Sequence, residues 1–179
     1  SYRRGAENSG DIDVIITDHK NISTVFKKFI DLLEEQGIIL HRLTDGKSKV
    51  MVIGKLGEYP ARRLDFLYTS PEEYPFAVLY FTGSKGFNTA MRQRALDLGY
   101  SLNEHGIHEL KQGSKGNKVN IQFKKEDDIF DFLNMEFKEP NERIDGRSIV
   151  LKPEIIPEET LKIKKDLTEP NKKKPKIII

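Results

Sequence analysis

Residues 11–17, DIDVIIT, are dominated by β-branched side chains and predict a buried strand. The period then changes. Val25, Phe26, Phe29, Ile30, Leu32 and Leu33 recur at helical spacing and predict a helix with a broad apolar face, capped by Asn21 or Ser23 and ended by Gly37. Residues 38–42 and 49–53 predict two strands joined across Thr44-Asp45-Gly46, because an Asp-Gly pair favours a tight hairpin turn. Residues 62–68, RRLDFLY, predict a further strand in which Leu64, Phe66 and Tyr68 alternate with Arg63, Asp65 and Leu67.

From Pro71 the pattern is helical again, over residues 71–81 and 87–98, with Gly83 and Gly86 between them and Gly99 as the stop. Residues 100–110 and 118–123 predict short strands around a Gly/Lys turn. Residues 126–134 predict a short amphipathic helix carrying Ile129, Phe130, Phe132 and Leu133. Past about residue 147, Pro153, Pro157, Pro170 and Pro175 alternate with lysines and glutamates without any period, which predicts an extended or disordered tail. No apolar run approaches the roughly 20 residues a spanning helix needs, so no membrane is expected as a partner.

Composition sharpens this outline in two ways. The 179 residues include no cysteine, which excludes a disulfide framework and thiolate metal sites. The net charge of +2 is unevenly spread: basic and acidic residues balance at 23 each through Lys152, and the remaining stretch carries 7 lysines against 5 acids. A neutral body excludes nucleic-acid binding by bulk charge alone and leaves it to local clusters. Lys111, Lys115, Lys118, Lys124 and Lys125 form one such cluster, suited to a solvated face or to DNA phosphates. The four histidines are scattered without metal-ligand spacing and are expected in surface or core roles.

Candidate chemistry begins at Asp11-Ile12-Asp13. On a strand, positions i and i+2 share a face, so two carboxylates stand side by side and raise each other's pKa unless a cation compensates. Asp65 interrupts an otherwise apolar strand. Should the two strands be neighbours, three carboxylates converge on one sheet edge, a ligand set for hard divalent ions that promote in-line displacement at phosphorus. A lone D-x-D is common, and a solvent-facing strand accounts for two aspartates without metal. The preceding SYRRGAENSG supplies a hydroxyl, two guanidiniums and glycines that permit close backbone approach, which together suit a triphosphate.

SYRRGAENSGDIDVIIT, then RRLDFLY, then YPFAVLYFTGSKGFNTAMRQRALDLGYSLNEHGI, and finally DIFDFLNMEFKEPNER, resemble in this order the DNA polymerases of family X, of the polymerase beta type. The resemblance runs from Ser1 to about Arg143. It implies an α/β (α+β) nucleotidyltransferase palm on a mixed sheet over residues 1–71. A small mixed nucleotide-binding subdomain over 72–147 and a basic tail over 148–179 would follow. It implies two Mg²⁺ ions, with Mn²⁺ as a substitute, held by Asp11, Asp13 and Asp65; Asp65 would act as proton acceptor, tuned by Arg63. Ser1, Arg4 and Gly10 would hold the β- and γ-phosphates of a dNTP. By the same resemblance Tyr80, Phe81 and Gly83 would belong to a cis-peptide turn under the sugar, Asn88 would meet the base edge, Arg92 the templating nucleotide, and Glu104 would help position the closed subdomain.

The implied reaction is addition of dNMP to a primer 3′-hydroxyl on primer–template or gapped DNA, in short-gap repair, by a monomer. Its location would be the nucleus of a eukaryote, or the cytoplasm or virion for a virus. Family members carry helix-hairpin-helix segments, and often a lyase domain, before the stretch matched here. The chain is therefore expected to be a catalytic fragment, without lyase activity and poorly active alone. The short hairpin near residues 44–49, and Tyr80-Phe81 where terminal transferase has glycine and tryptophan, favour a templated enzyme. The competing readings are transfer to another acceptor and a non-catalytic DNA-end-binding module.

Overall fold

The computed structural model describes residues 1–153, and the expected tail beyond them lies outside the described residues. The expectation of a mixed α/β chain holds, as two sheets with separate cores. The first sheet contains β1 (Asp11–Ile16), β2 (Ile39–Asp45), β3 (Lys49–Gly54) and β4 (Arg62–Tyr68), in the order β1-β4-β3-β2. β1 runs parallel to β4, and the other pairs are antiparallel. Helix α1 (Thr24–Glu35) covers one face of this sheet, burying Phe26 and Ile30 against Val50, Val52 and Phe66, with Val14 and Ile16 at the margin. Only part of the broad apolar face predicted for α1 is used, since Val25 and Leu32 remain exposed. Ser23 stands at the N-cap, yet its side chain accepts no capping bond. The hairpin turn falls one step later than Thr44-Asp45-Gly46, because both Thr44 and Asp45 stay in β2. Gly46 donates to the Lys49 carbonyl at 3.0 Å, where a Cβ on Gly46 would stand 2.7 Å from that oxygen.

The second body consists of α2 (Tyr74–Thr82), α3 (Lys85–Asp97), the antiparallel sheet β5 (Tyr100–Asn103), β6 (Gly106–Lys111) and β7 (Ser114–Lys118), and α4 (Glu126–Phe132). Phe76, Leu79, Phe87, Met91, Ile107, Ile129 and Phe130 form its core. Several boundaries differ from those predicted: α2 starts at Tyr74, not Pro71, and α4 ends at Phe132, not Asn134. Gly86 lies inside α3, which starts at Lys85 behind Ser84, whose hydroxyl accepts from the Phe87 N–H at 3.2 Å. Residues 100–110 fold back at Glu104-His105 instead of forming one strand. The Gly/Lys stretch is strand β7, not a turn, because an outer strand with one solvated edge tolerates lysines that a central strand would not. Residues 119–123 are not a strand, yet Phe123 is buried, edge-on to Phe76 and Phe132.

Residues 148–152, expected to open the tail, are docked. Val150 accepts from the Glu136 N–H at 2.9 Å, Lys152 donates to the Asn134 carbonyl at 3.0 Å, and Ile149 packs on the core. The pairing they make is a single bridge, Met135 with Leu151, too brief to show a period. Among the described residues, no helix is long and apolar enough to cross a membrane.

Candidate functional site

The parallel pairing of β1 with β4 sets Asp13 beside Asp65 and Asp11 beside Arg63. Alternation then fixes the faces: Val14, Ile16, Phe66 and Tyr68 pack towards α1, so Asp11, Asp13, Arg63 and Asp65 share the opposite face. Arg63 joins two of the three carboxylates. Its Nε donates to Asp65 Oδ1 at 3.0 Å and its Nη2 to the Asp11 carboxylate. Asp65 is buried, whereas Asp13 has no ion pair among the described residues. Partial burial, then the charges of Asp11 and of Asp65, push the Asp13 carboxyl above its ordinary range. A divalent cation would relieve that repulsion, so the donor set suits Mg²⁺ or Mn²⁺. With Asp11 and Asp65 both drawn onto Arg63, however, no three candidate ligands among the described residues are gathered as a metal cluster. Arg63 takes one oxygen of each carboxylate, Asp11 Oδ2 and Asp65 Oδ1, and leaves the other oxygen of each for an ion.

The chain before β1 makes a 3-10 turn at Tyr2–Arg4 and closes on itself: Ser1 Oγ donates to Ser9 Oγ at 2.7 Å, and Ser9 Oγ to the Asp11 carbonyl at 2.6 Å. Arg4 donates to the Thr82 carbonyl at the end of α2. Arg3 donates to the Thr82 hydroxyl and, at 2.8 Å, to Glu126. These contacts draw residues 1–4 onto the second body.

A cleft of about 770 Å³ opens between the two bodies. Asp11 and Asp13 line it, with Ser1 and Arg3, and Phe81 and Thr82. Tyr80 looks elsewhere. It lines a separate shallow concavity with Asn88, Arg92 and Leu102. There the Arg92 guanidinium lies 5.3 Å from the Tyr80 ring centroid, Asn88 Nδ2 donates to the Tyr80 carbonyl at 2.7 Å, and Arg92 reaches Glu104 at 3.4 Å. Asn88 and Arg92 are thus organised around Tyr80 and are not merely an exposed polar pair. Tyr80 and Phe81 meet edge-on, centroids 5.3 Å apart, and divide the two concavities between them.

Gly83 follows, joined to Ser84 by a cis peptide. Its φ of 66° and ψ of −151° belong almost only to glycine, and a Cβ would stand 3.1 Å from Arg4 Nη1. Gly83→Ala is expected to lower stability by about 1–3 kcal/mol and to displace Arg4. Urea unfolding reads the first effect, and an unchanged midpoint would remove the backbone argument.

Sequence-predicted residues thus fall into three groups. Ser1, Asp11, Asp13 and Phe81 share the large cleft; Tyr80, Asn88 and Arg92 share the second concavity, with Glu104 bonded to Arg92; Arg63 and Asp65 lie on the carboxylate face without lining the cleft. Gly10 sits at the entry to β1 without a close neighbour. The lysine cluster divides: Lys111 pairs with Glu109, Lys118 with Glu73 and Lys125 with Asp127, while Lys124 and Lys125 line the large cleft. Ser9, Thr82, Glu126 and Arg143 were not anticipated. Only Glu126 had a usable signal, being an acid at the inward start of an amphipathic helix.

Comparison with known proteins places this geometry among relatives. A family model described as DNA polymerase beta palm matches residues 1–71, and one described as DNA polymerase beta thumb matches residues 77–144. DNA polymerase lambda of Rattus norvegicus is 34% identical over 157 residues, covering 80% of this chain and 27% of that protein. The DNA polymerase/3′-5′ exonuclease PolX of Bacillus subtilis is 34% identical over 114 residues, 63% of this chain and 19% of that protein. The chain therefore spans 19–30% of the length of these curated relatives. Among solved structures, a ternary P/T complex of Leishmania infantum polymerase beta aligns with a TM-score of 0.69 at 30% identity, covering 79% of this chain and 64% of that one.

Proposed function

Because this chain belongs to the family X DNA polymerases, we propose that it is the nucleotide-adding part of a DNA-directed DNA polymerase that fills short gaps during repair. The observation that carries this reading is the shared face of Asp11, Asp13 and Asp65 on two adjacent parallel strands, with Arg63 between Asp11 and Asp65. Asp11, Asp13 and Asp65 would hold two Mg²⁺ ions, or Mn²⁺ in their place. Bound there, the metal lowers the proton affinity of the primer 3′-hydroxyl and offsets charge on the departing pyrophosphate.

The chain's own groups divide the remaining tasks. Asp65 offers Oδ2 to the hydroxyl proton, since its Oδ1 is occupied by Arg63. Ser1, Arg4 and the backbone at Gly10 hold the β- and γ-phosphates, for which the Arg4 guanidinium turns from Thr82 to the anion. Phe81 in the large cleft and Tyr80 beside it leave no room for a 2′-hydroxyl. Asn88 reads the base edge in the minor groove, Arg92 touches the templating nucleotide, and Glu104 holds Arg92 from below.

The test is single-nucleotide addition into a one-nucleotide gap of defined template base. The complementary dNTP is expected to be strongly preferred over the other three and over its ribonucleotide. Tyr80→Ala should narrow the deoxyribose preference by roughly tenfold. Equal use of all four dNTPs would favour transfer without a template. No metal-dependent dNTP binding in calorimetry would favour a non-catalytic DNA-end module.

A further inference from the structure

Glu126 is nearly buried, yet both of its oxygens are bonded to arginines from opposite ends of the described chain. Oε1 accepts from Arg143 Nη1 at 2.6 Å, and Oε2 accepts from Arg3 Nη2 at 2.8 Å. Arg143 is wholly inaccessible. It lies 5.8, 5.2 and 5.5 Å from the ring centroids of Phe87, Phe130 and Phe137, and its Nε donates to the Lys138 carbonyl at 2.9 Å. Its Nη2 has no partner among the described residues. On the other side, Arg3 also grips the Thr82 hydroxyl while Arg4 holds the Thr82 carbonyl. A continuous run of charged contacts thus leads from the second core, through Glu126 and Arg3, to the residue directly after Phe81.

Removing a guanidinium and a carboxylate from water is costly, and apolar side chains of similar volume commonly hold a core as well or better. The arrangement therefore invites a role in geometry. Glu126 and Arg3 both line the large cleft with Asp11 and Asp13. Arg3 belongs to the segment proposed to bind phosphate, and Thr82 to the end of the helix proposed to face the sugar. We propose that Glu126 is a positioning residue: through Arg3 it fixes residues 1–10 against the end of α2, and Arg143 is its buried anchor. This inference rests on the polymerase reading, because the two parts it spaces are those assigned to the two ends of a nucleoside triphosphate.

Arg3→Met removes one arm and leaves the Glu126–Arg143 pair intact, so the fold is retained. In single-nucleotide gap filling, kcat/KM for dNTP is expected to fall roughly 10–100-fold, mostly through KM, as misplacement without lost chemistry does. The urea midpoint should stay close to that of the unaltered protein. Thr82→Val, which changes no charge, should move KM in the same direction by a smaller factor. The ratio of variant to unaltered KM should persist from low to high ionic strength, whereas simple charge attraction to the triphosphate would be screened. An unchanged KM for Arg3→Met, or a KM effect abolished by salt, would overturn the positioning role. No addition by the unaltered protein would instead remove the polymerase reading beneath it.

Discussion

Replacing Asp65 with alanine is expected to reduce templated nucleotide addition by about 10³-fold or more while leaving the protein folded. The size follows from chemistry: a charge-stabilising contribution of several kcal/mol is lost, and each 1.4 kcal/mol is about tenfold in rate. Folding should survive because Arg63, half exposed, keeps Asp11 as a partner, so the lost ion pair is worth about 1 kcal/mol or less. Val50, Val52 and Phe66 on the opposite face are untouched. Asp65→Asn separates charge from shape and should show the same loss. Binding of dNTP with metal should be partly retained by both variants through Asp11 and Asp13. Single-turnover extension beside a thermal melt measures both halves, and near-normal turnover in either variant would remove Asp65 from the reaction.

Phe130→Ala is expected to destabilise the protein by about 3–5 kcal/mol, the range for deleting a fully buried phenyl ring. Phe130 is inaccessible. Its ring centroid lies 6.0 Å from that of Phe87 and 5.1 Å from that of Phe137, and it forms one wall of the Arg143 site. The cavity would open beside α3, the helix bearing Asn88 and Arg92. Domain stabilities lie near 5–15 kcal/mol, so the loss is a large share of the total. Urea unfolding should show a lower midpoint at unchanged slope. A shift below about 1 kcal/mol would mean that the site collapses on itself and that the second core is less tightly built than its contacts indicate.

Alternation and helical period made much of this fold legible. RRLDFLY gave β4 to the residue, because Leu64, Phe66 and Tyr68 alternate there with Arg63 and Asp65. β7 was missed for a physical reason: an outer strand can be built from lysine, glycine and asparagine, whose composition also reads as a turn. Docking of residues 148–152 was missed because a single bridge leaves no periodic trace.

The site was legible where local geometry governs. Asp11 and Asp13 share a face by strand alternation, and only the neighbour relation with Asp65 had to come from tertiary structure. Arg143 was not legible at all. Its burial depends on Glu126 and three aromatic rings brought together from separate segments, and nothing in EPNER sets it apart from a solvated arginine. The division of Tyr80 and Phe81 between two concavities was likewise invisible, because it depends on how α2 ends between the two bodies.

The most direct test of the central claim, that the carboxylate edge carries metal-dependent nucleotidyl transfer, is addition of one complementary dNTP to the primer of a one-nucleotide gap. The measurement runs with Mg²⁺, with Mg²⁺ plus excess chelator, and with Mn²⁺. The predicted result is a primer longer by one nucleotide with either metal, equimolar release of pyrophosphate, and no product in chelator. Extension that continues in chelator, or its absence with both metals, would contradict the account.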